Sequence, residues 1–321
     1  MTKRKLTQQQ QRRIAEQHDN RLLEAGQLKA ALEGIVIVRH GAKAWVENEH
    51  EQLFLCSLRQ NLESPVAGDR VIFHTINAEI GVITALQPRH TVINRLDANH
   101  ELKPLAANVD QIVIVIALKP EPSMEIVDRY LVAAAALKLT PIIVCNKIDL
   151  DNHKVTELCA LYEEIGYPVI FTSIAKNEGL KALSHHLVDR TSIFVGQSGV
   201  GKSSLIQALI PEETLAIGKI SEMSELGKHT TTASRLYHFS GGGDFIDSPG
   251  VRRFNLWSMT RHDILRGFID FKPYEGRCKF RNCEHKHEPG CALQEAVKKG
   301  EINAQRVDSY HHLVATHAIE G

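Results

Sequence analysis

A glycine-rich turn stands between an apolar run, Ser192 to Val195, and a helix-forming stretch that ends at Leu209. Its residues are Gly196, Gln197, Ser198, Gly199, Val200, Gly201, Lys202, Ser203 and Ser204, and they fit the spacing G-x-x-x-x-G-K-[ST]. A strand before and a helix after are the context that this spacing requires. Gly196 and Gly201 let the backbone curl so that its amide N–H groups point into an anion-sized nest, and the helix N-terminus adds the positive end of its dipole. Lys202 is placed to meet the β- and γ-phosphates of a nucleotide and the Ser203 hydroxyl to meet Mg²⁺, while Gln197 and Val200 contribute only backbone. The turn therefore demands a parallel α/β sheet around it.

A phosphate loop leaves the base undecided. Asn146-Lys147-Ile148-Asp149 follows the apolar strand Pro141 to Cys145, at the carboxyl end where a parallel sheet meets its ligand. Asp149 can accept both N–H groups on the N1/N2 edge of guanine, Asn146 can tie the loop and approach the other edge, and the Lys147 stem can cover the ring. Adenine presents the wrong donors and acceptors, and a site built for such groups rejects the analogue lacking them. Thr172-Ser173-Ile174-Ala175-Lys176 follows another strand and is placed for backbone contact with the base from Ser173 or Ile174. Asp247-Ser-Pro-Gly250 ends the strand Asp244 to Ile246, where Asp247 can hold Mg²⁺ through water and the Gly250 amide can sense the γ-phosphate. Gly227-Lys-His229-Thr230-Thr231-Thr232 precedes it as a switch segment, with Thr231, or Thr230 as its rival, supplying a hydroxyl to Mg²⁺ and the γ-phosphate.

Ordinary GTPases carry the phosphate loop first and N-K-x-D late; here Asn146 to Asp149 come first. The order predicts a circularly permuted P-loop GTPase domain whose γ-phosphate sensor leads directly into Val251-Arg252-Arg253 and the C-terminal segment. Because chain termini often lie close together on a domain surface, a permuted sheet can keep its site. Val251 stands where Ras-like enzymes carry a water-positioning Gln, so hydrolysis needs another polar group and is expected to be slow alone.

Around this domain the texture changes twice. Short runs at Gly34 to Val38, Lys43 to Glu47, Leu53 to Ser57, Arg70 to Thr75 and Ile80 to Leu86 predict a barrel of about five strands, the strand count of an OB-fold. Buried-type strands at Gln111 to Ala117, Pro141 to Cys145, Val169 to Thr172, Ser192 to Val195 and Asp244 to Ile246 alternate with helical stretches such as Glu125 to Leu139 and Leu180 to Val188. After Arg253 a short basic Cys/His segment precedes helical stretches at Ala292 to Lys299 and Ala304 to Thr316. The 38 Lys/Arg balance 38 Asp/Glu, but residues 252–286 carry nine cations against four acids and residues 1–30 carry seven against three. Cys56, Cys145 and Cys159 suit reduced core thiols. Cys278-x4-Cys283-x-His285-x5-Cys291 offers the Cys₃His set of a closed structural Zn²⁺ site, with His287 competing for the place of His285. No apolar run reaches bilayer length and the polar leader lacks a secretory core, so a cytoplasmic chain without membrane contact is expected; an organellar transit peptide is the alternative reading of the leader.

These motifs, taken together and in this order, resemble the RsgA (YjeQ) family of ribosome small-subunit-dependent circularly permuted GTPases. The likeness runs from the barrel through NKID, GQSGVGKSS, GKHTTT and DSPGVRRF to the Cys/His cluster, with the basic leader only loosely matched. It implies a basic extension over 1–32, an OB-fold over 33–100, the permuted GTPase domain over 101–255 and a mainly helical zinc-binding domain over 256–321. It further implies a monomeric factor that binds the small ribosomal subunit and its rRNA late in maturation and uses GTP/GDP, Mg²⁺ and one structural Zn²⁺, with His285 as the fourth zinc ligand. In that pattern His229 is the catalytic replacement for the missing Gln. Arg266, Lys272, Arg277, Lys279, Arg281 and Lys286 are cations available to RNA phosphates, whereas Trp45, Phe54 and Phe73 of the barrel are as well suited to its core as to stacking. Two other readings compete: an RNA-binding assembly factor for which GTP is a structural ligand, and a P-loop ATPase or kinase, which N-K-x-D disfavours.

Overall fold

The computed structural model describes residues 30–60, 62–96, 101–150, 153–210, 233–247 and 259–317. They fall into two compact units: one holds residues up to 109 with 233–238 and 244–247, the other residues 110–210, 239–243 and 259–317.

In the first unit, alternating patterns become strands in the places the sequence predicts. They are β1 (Ala31–His40), β2 (Lys43–Asn48), β3 (Leu53–Leu58), β4 (Arg70–Thr75) and β5 (Ile80–Leu86). β1 pairs with both β2 and β4, β2 with β3, β3 with β5 and β5 with β4, so the five strands close into a barrel with no free edge among them. Alternate residues point inward, and Val36, Ala44, Val46, Phe54, Cys56, Val71, Phe73 and Ile83 form its core. Phe54 and Phe73 face each other there with centroids 5.2 Å apart, which removes both from any stacking surface; Trp45 is half-buried. Asp69, fully buried, receives Arg89 through two hydrogen bonds of 2.6 and 2.8 Å. This bidentate pair fastens the segment after β5 to the turn before β4.

Two antiparallel ribbons lie beyond what the sequence pattern predicts. β6 (Val92–Leu96) pairs with β7 (Leu102–Ala107), whose Lys103 and Pro104 hide the alternation. The strand expected at Asp244 to Ile246 is present as β13 (Asp244–Asp247), and β12 (Arg235–His238), which the sequence pattern does not show, pairs antiparallel with it as the other half of a hairpin. The physical reason lies in Gly241, Gly242 and Gly243 between them, which permit a tight return of the chain. His238 of β12 stands between Asp244 at 2.7 Å and Glu47 at 2.8 Å, and these carboxylates push its pKa up to about 10.

The second unit carries the parallel sheet β10 (Val169–Thr172), β9 (Thr140–Asn146), β8 (Gln111–Ala117) and β11 (Thr191–Val195), in that order. Every residue of β8 is buried, as expected of a strand covered on both faces. Helix α1 (Met124–Leu137) starts at Ser123, whose hydroxyl accepts from Ile126 N–H, and stops at Lys138 in the left-handed conformation. α2 (His153–Ile165), α3 (Leu180–Leu187) and α4 (Lys202–Leu209) follow in the α/β part. α5 (Arg261–Arg266), a 3₁₀ turn (Ile269–Tyr274), α6 (Ala292–Lys298) and α7 (Ala304–His317) complete the unit.

Arg306 of α7 joins these parts. Its guanidinium is 1% exposed, binds Asp128 of α1 and Asp270 of the 3₁₀ turn, and lies 4.5 Å from the ring centroid of Phe268. Asp128 also accepts from the Tyr162 hydroxyl of α2 at 2.6 Å. Removing one member of a buried ion pair strands the other charge, whereas replacing both by apolar groups is far milder. Arg306→Met is therefore expected to lower stability by about 3–5 kcal/mol in urea denaturation. Asp128→Leu combined with Arg306→Met should lower it much less; equal losses would show that the pair is not the source of the effect.

Candidate functional site

Three loops leave the carboxyl ends of β9, β10 and β11 in the second unit. β9 and β10 run parallel with Thr172 opposite Asn146, and this register puts Thr172 Oγ1 within 3.1 Å of Asn146 Oδ1, to which it donates. From the other side Asn146 Nδ2 donates to the Val200 carbonyl at 2.9 Å. One carboxamide, 2% exposed, thereby fastens the N-K-x-D loop to both the Thr172 loop and the glycine-rich turn. The chain passes from β8 to β9 and β10 on one side and returns to β11 on the other, so the turn after β11 opens at the point where the sheet reverses its order. Crevices at such points are where open α/β sheets take their ligands.

The glycines of the turn are dictated by this proximity. Gly201 has φ +95°, and a Cβ there would lie 2.4 Å from Asn146 Nδ2; Gly196 has φ +136°, and a Cβ would lie 2.1 Å from the Val115 carbonyl oxygen. Any side chain at either position must displace backbone or the buried carboxamide. Lys202 Nζ donates to the carbonyls of Gly196 at 2.8 Å and Gln197 at 2.6 Å, which brings its positive charge within the turn. Lys147, at φ 62°, sends Nζ to the Gly199 carbonyl at 2.5 Å and the Lys119 carbonyl at 3.0 Å, bridging the loops that follow β8 and β11. Ser198, Gly199, Ser203 and Ser204 are exposed, Val200 is buried, and the two serines at 203 and 204 lie in the first turn of α4.

Asp149 is exposed and its carboxylate is held in place from behind. The Ser173 hydroxyl donates to Asp149 Oδ1 at 2.6 Å, and Ser173 is fully buried. That hydrogen bond, followed by Asp149's own backbone and the charges of Lys176 and Lys147, holds the carboxyl below the usual carboxylate range, so it is an anionic acceptor at neutral pH. Ser173 is fixed in turn by a two-way backbone bridge to Glu178 and by accepting from Lys176 N–H at 3.2 Å. The sequence predicts only backbone contact here; the structure gives Ser173 a side-chain role on Asp149, and leaves Ile174 36% exposed. Thr172 and Lys119 are further members that sequence reading misses. The strand end Thr172 aligns with Asn146 only through the sheet register, and Lys119 contributes a carbonyl, which no motif records.

The Cys/His cluster also assembles. The ligand atoms of Cys278, Cys283, His285 and Cys291 lie within 4.8 Å of one another. His285 Nδ1 is 3.5 Å from Cys278 Sγ and 3.4 Å from Cys291 Sγ, close to the edges of about 3.3–3.8 Å of a tetrahedron with ordinary Zn–N and Zn–S lengths. His285 reaches this position at φ 63°, with its carbonyl accepting from Gln294 Nε2 at 2.7 Å, and Ala292 N–H points to Cys278 Sγ at 3.4 Å. His287 is not in the group. Three soft thiolate donors and one imidazole suit Zn²⁺ and leave no open position. Cys56, Cys145 and Cys159 are buried free thiols, as expected.

Asp247 closes β13 in the first unit and is exposed. His229, Thr230, Thr231, Gly250, Val251, Arg252 and Arg253 lie outside the described residues.

Motif order, sheet and phosphate-type turn define a circularly permuted P-loop GTPase. The model of the RsgA GTPase family matches residues 86–257. The chain is 46% identical over 336 residues to the small ribosomal subunit biogenesis GTPase RsgA of Proteus mirabilis, covering 98% of this chain and 96% of that relative. It is likewise 46% identical over 322 residues to RsgA 1 of Vibrio parahaemolyticus, at 97% and 91% coverage. YjeQ from Thermotoga maritima superposes with a TM-score of 0.73 at 31% identity, covering 89% of this chain and 98% of its own. YloQ, a circularly permuted GTPase, gives a TM-score of 0.71 at 28% identity, with 89% and 94% covered. The chain belongs to the RsgA family and is a GTP hydrolase.

Gly201→Ala is expected to weaken binding of a fluorescent GDP analogue by about tenfold or more without changing the far-UV circular dichroism. Unchanged affinity would show that the Gly201–Asn146 approach does not shape the nucleotide site.

Proposed function

We propose that this chain binds the small ribosomal subunit late in its maturation, that GTP sets its switch segments and that hydrolysis releases it. The observation that carries the reading is the Asn146 clamp, which joins a guanine-type acceptor loop to a phosphate-type turn on one unit. The names of the relatives supply the partner.

In this reading Asp149 accepts the two N–H donors of guanine, the Asn146 side chain and the Lys147 stem shape the base site, and Ser173 and Ile174 border it. Backbone amides from Gly196 to Ser204 surround the phosphates, and Lys202 turns from its own loop carbonyls to the β- and γ-oxygens. Mg²⁺ held by Ser203, Thr231 and Asp247 would neutralise charge developing on the bridging oxygens. Gly250 senses the γ-phosphate and passes its state to Val251 and the segment beyond. His229 orients the attacking water in place of the Gln that Val251 displaces. Cys278, Cys283, His285 and Cys291 hold one structural Zn²⁺, and basic side chains around them meet rRNA.

The division into a basic extension (1–32), OB-fold (33–100), GTPase domain (101–255) and zinc-binding domain (256–321) belongs to the same proposal. So do a monomeric state and a cytoplasmic location; among the described residues no helix is long and apolar enough to cross a membrane.

GTP turnover measured with and without purified small ribosomal subunits tests the reading. It is expected to be slow alone and to rise about a hundredfold or more with subunits, and His229→Ala should remove most of that rise, about a hundredfold effect on the stimulated rate. No stimulation by subunits would contradict the partner, and an intact stimulated rate in His229→Ala would reassign the water-positioning role.

A further inference from the structure

Eight large hydrophobic side chains are exposed among the described residues, and Phe280 is the aromatic one among them, 43% exposed. It sits in the loop between two members of the Cys/His cluster, in the sequence Arg277-Cys278-Lys279-Phe280-Arg281-Asn282-Cys283, which contains no acidic residue. Arg277, Lys279 and Arg281 are all exposed and, among the described residues, form no ion pair. The neighbouring cations differ: Lys286 and Arg261 both pair with Glu284, each at 2.9 Å. Lys279 Nζ lies 5.5 Å from the Phe280 ring centroid, so one ammonium already flanks the ring.

The loop is held at both ends. Cys278 and Cys283 belong to the cluster, Lys279 N–H donates to the Gly290 carbonyl at 3.0 Å, and Cys283 N–H donates to the Phe280 carbonyl at 3.3 Å. A fixed backbone presents the ring without a large loss of conformational freedom on binding. An apolar contact with a protein would favour several clustered hydrophobics at this place; the structure offers one flat ring and three unneutralised cations. That combination matches a single-stranded polyanion with exposed aromatic bases.

We propose that Phe280 is a stacking platform for one unpaired RNA base, with Arg277, Lys279 and Arg281 on the adjacent phosphates. The inference rests on the small-subunit reading above and names the residue and the form of RNA it takes.

The test uses the full chain with two probes, a short oligouridylate and isolated small ribosomal subunits, across a series of salt concentrations. Phe280→Leu is expected to weaken binding by at least about fivefold, the lower end for loss of one stacked base, with the slope of log affinity against log salt unchanged. Phe280→Trp should retain affinity and show quenched indole emission on binding. Arg281→Gln should instead reduce the salt slope by about one phosphate contact. Basal GTP turnover and circular dichroism serve as the folding control and should not move. Equal affinity of Phe280→Leu and wild type for both probes, or equal affinity of Phe280→Leu and Phe280→Trp, overturns the stacking role while leaving the small-subunit reading in place. A wild-type chain that holds neither probe overturns both.

Discussion

Asn146 is the side chain on which the site depends. Its amide donates to Val200 and its oxygen accepts from Thr172, so loops on three strands are held by one buried group. A buried carboxamide left half-satisfied loses about 1–3 kcal/mol, so neither contact is optional. The consequences spread into the sequence. Gly201 must lack a side chain because the Asn146 amide occupies its space, and Thr172 must end its strand opposite Asn146. The two partners Asn146 and Val200 are 54 positions apart with the base motif first, the reverse of ordinary GTPases. Permutation is tolerated because the clamp is a matter of sheet register and side-chain chemistry, which do not depend on where the chain is cut.

A second buried group does for the outer layer what Asn146 does for the loops. Arg306 binds Asp128 on α1 and Asp270 on the 3₁₀ turn, and four residues later on the same helix Tyr310 packs edge-on against His285, with ring centroids 6.2 Å apart. Positions four apart share one helix face. A single face of α7 therefore touches both the helix that follows β8 and a member of the Cys/His cluster. Movement of the cluster relative to the parallel sheet would require a buried ion pair to open, which makes rigid attachment the lower-energy arrangement within this unit.

Much of this was legible because its determinants are local. The barrel strands show period-2 alternation, β8 is a continuous apolar run, and the glycine spacing of the phosphate-type turn follows from backbone geometry alone. What sequence reading missed is non-local or silent in side-chain type. β12 and β6 have polar residues where alternation would show, and the hairpin of β13 is set by three glycines outside the strand itself. The Ser173 hydroxyl on Asp149 depends on two loops meeting, and no spacing rule connects residues 24 apart in loops that follow different strands. Arg306 reads as one more surface cation in a polar helix, and only the packed structure reveals it as 1% exposed. The aromatics of the barrel went the other way: Phe54 and Phe73 are core, while Phe280, which no motif singles out, is the exposed Phe among the described residues.

In the proposed function, base selectivity rests on one carboxylate. Asp149 is anionic, exposed and braced by Ser173, a geometry suited to two parallel N–H donors on a purine edge. Competition binding of GTP and xanthosine triphosphate to wild type and to Asp149→Asn tests this most directly. The expected result is strong preference for GTP in the wild type, reversed toward the xanthosine nucleotide in the variant, because the amide now offers a donor where the carboxylate offered only acceptors. An Asp149→Asn chain that keeps the wild-type preference for GTP would contradict recognition of guanine by this residue.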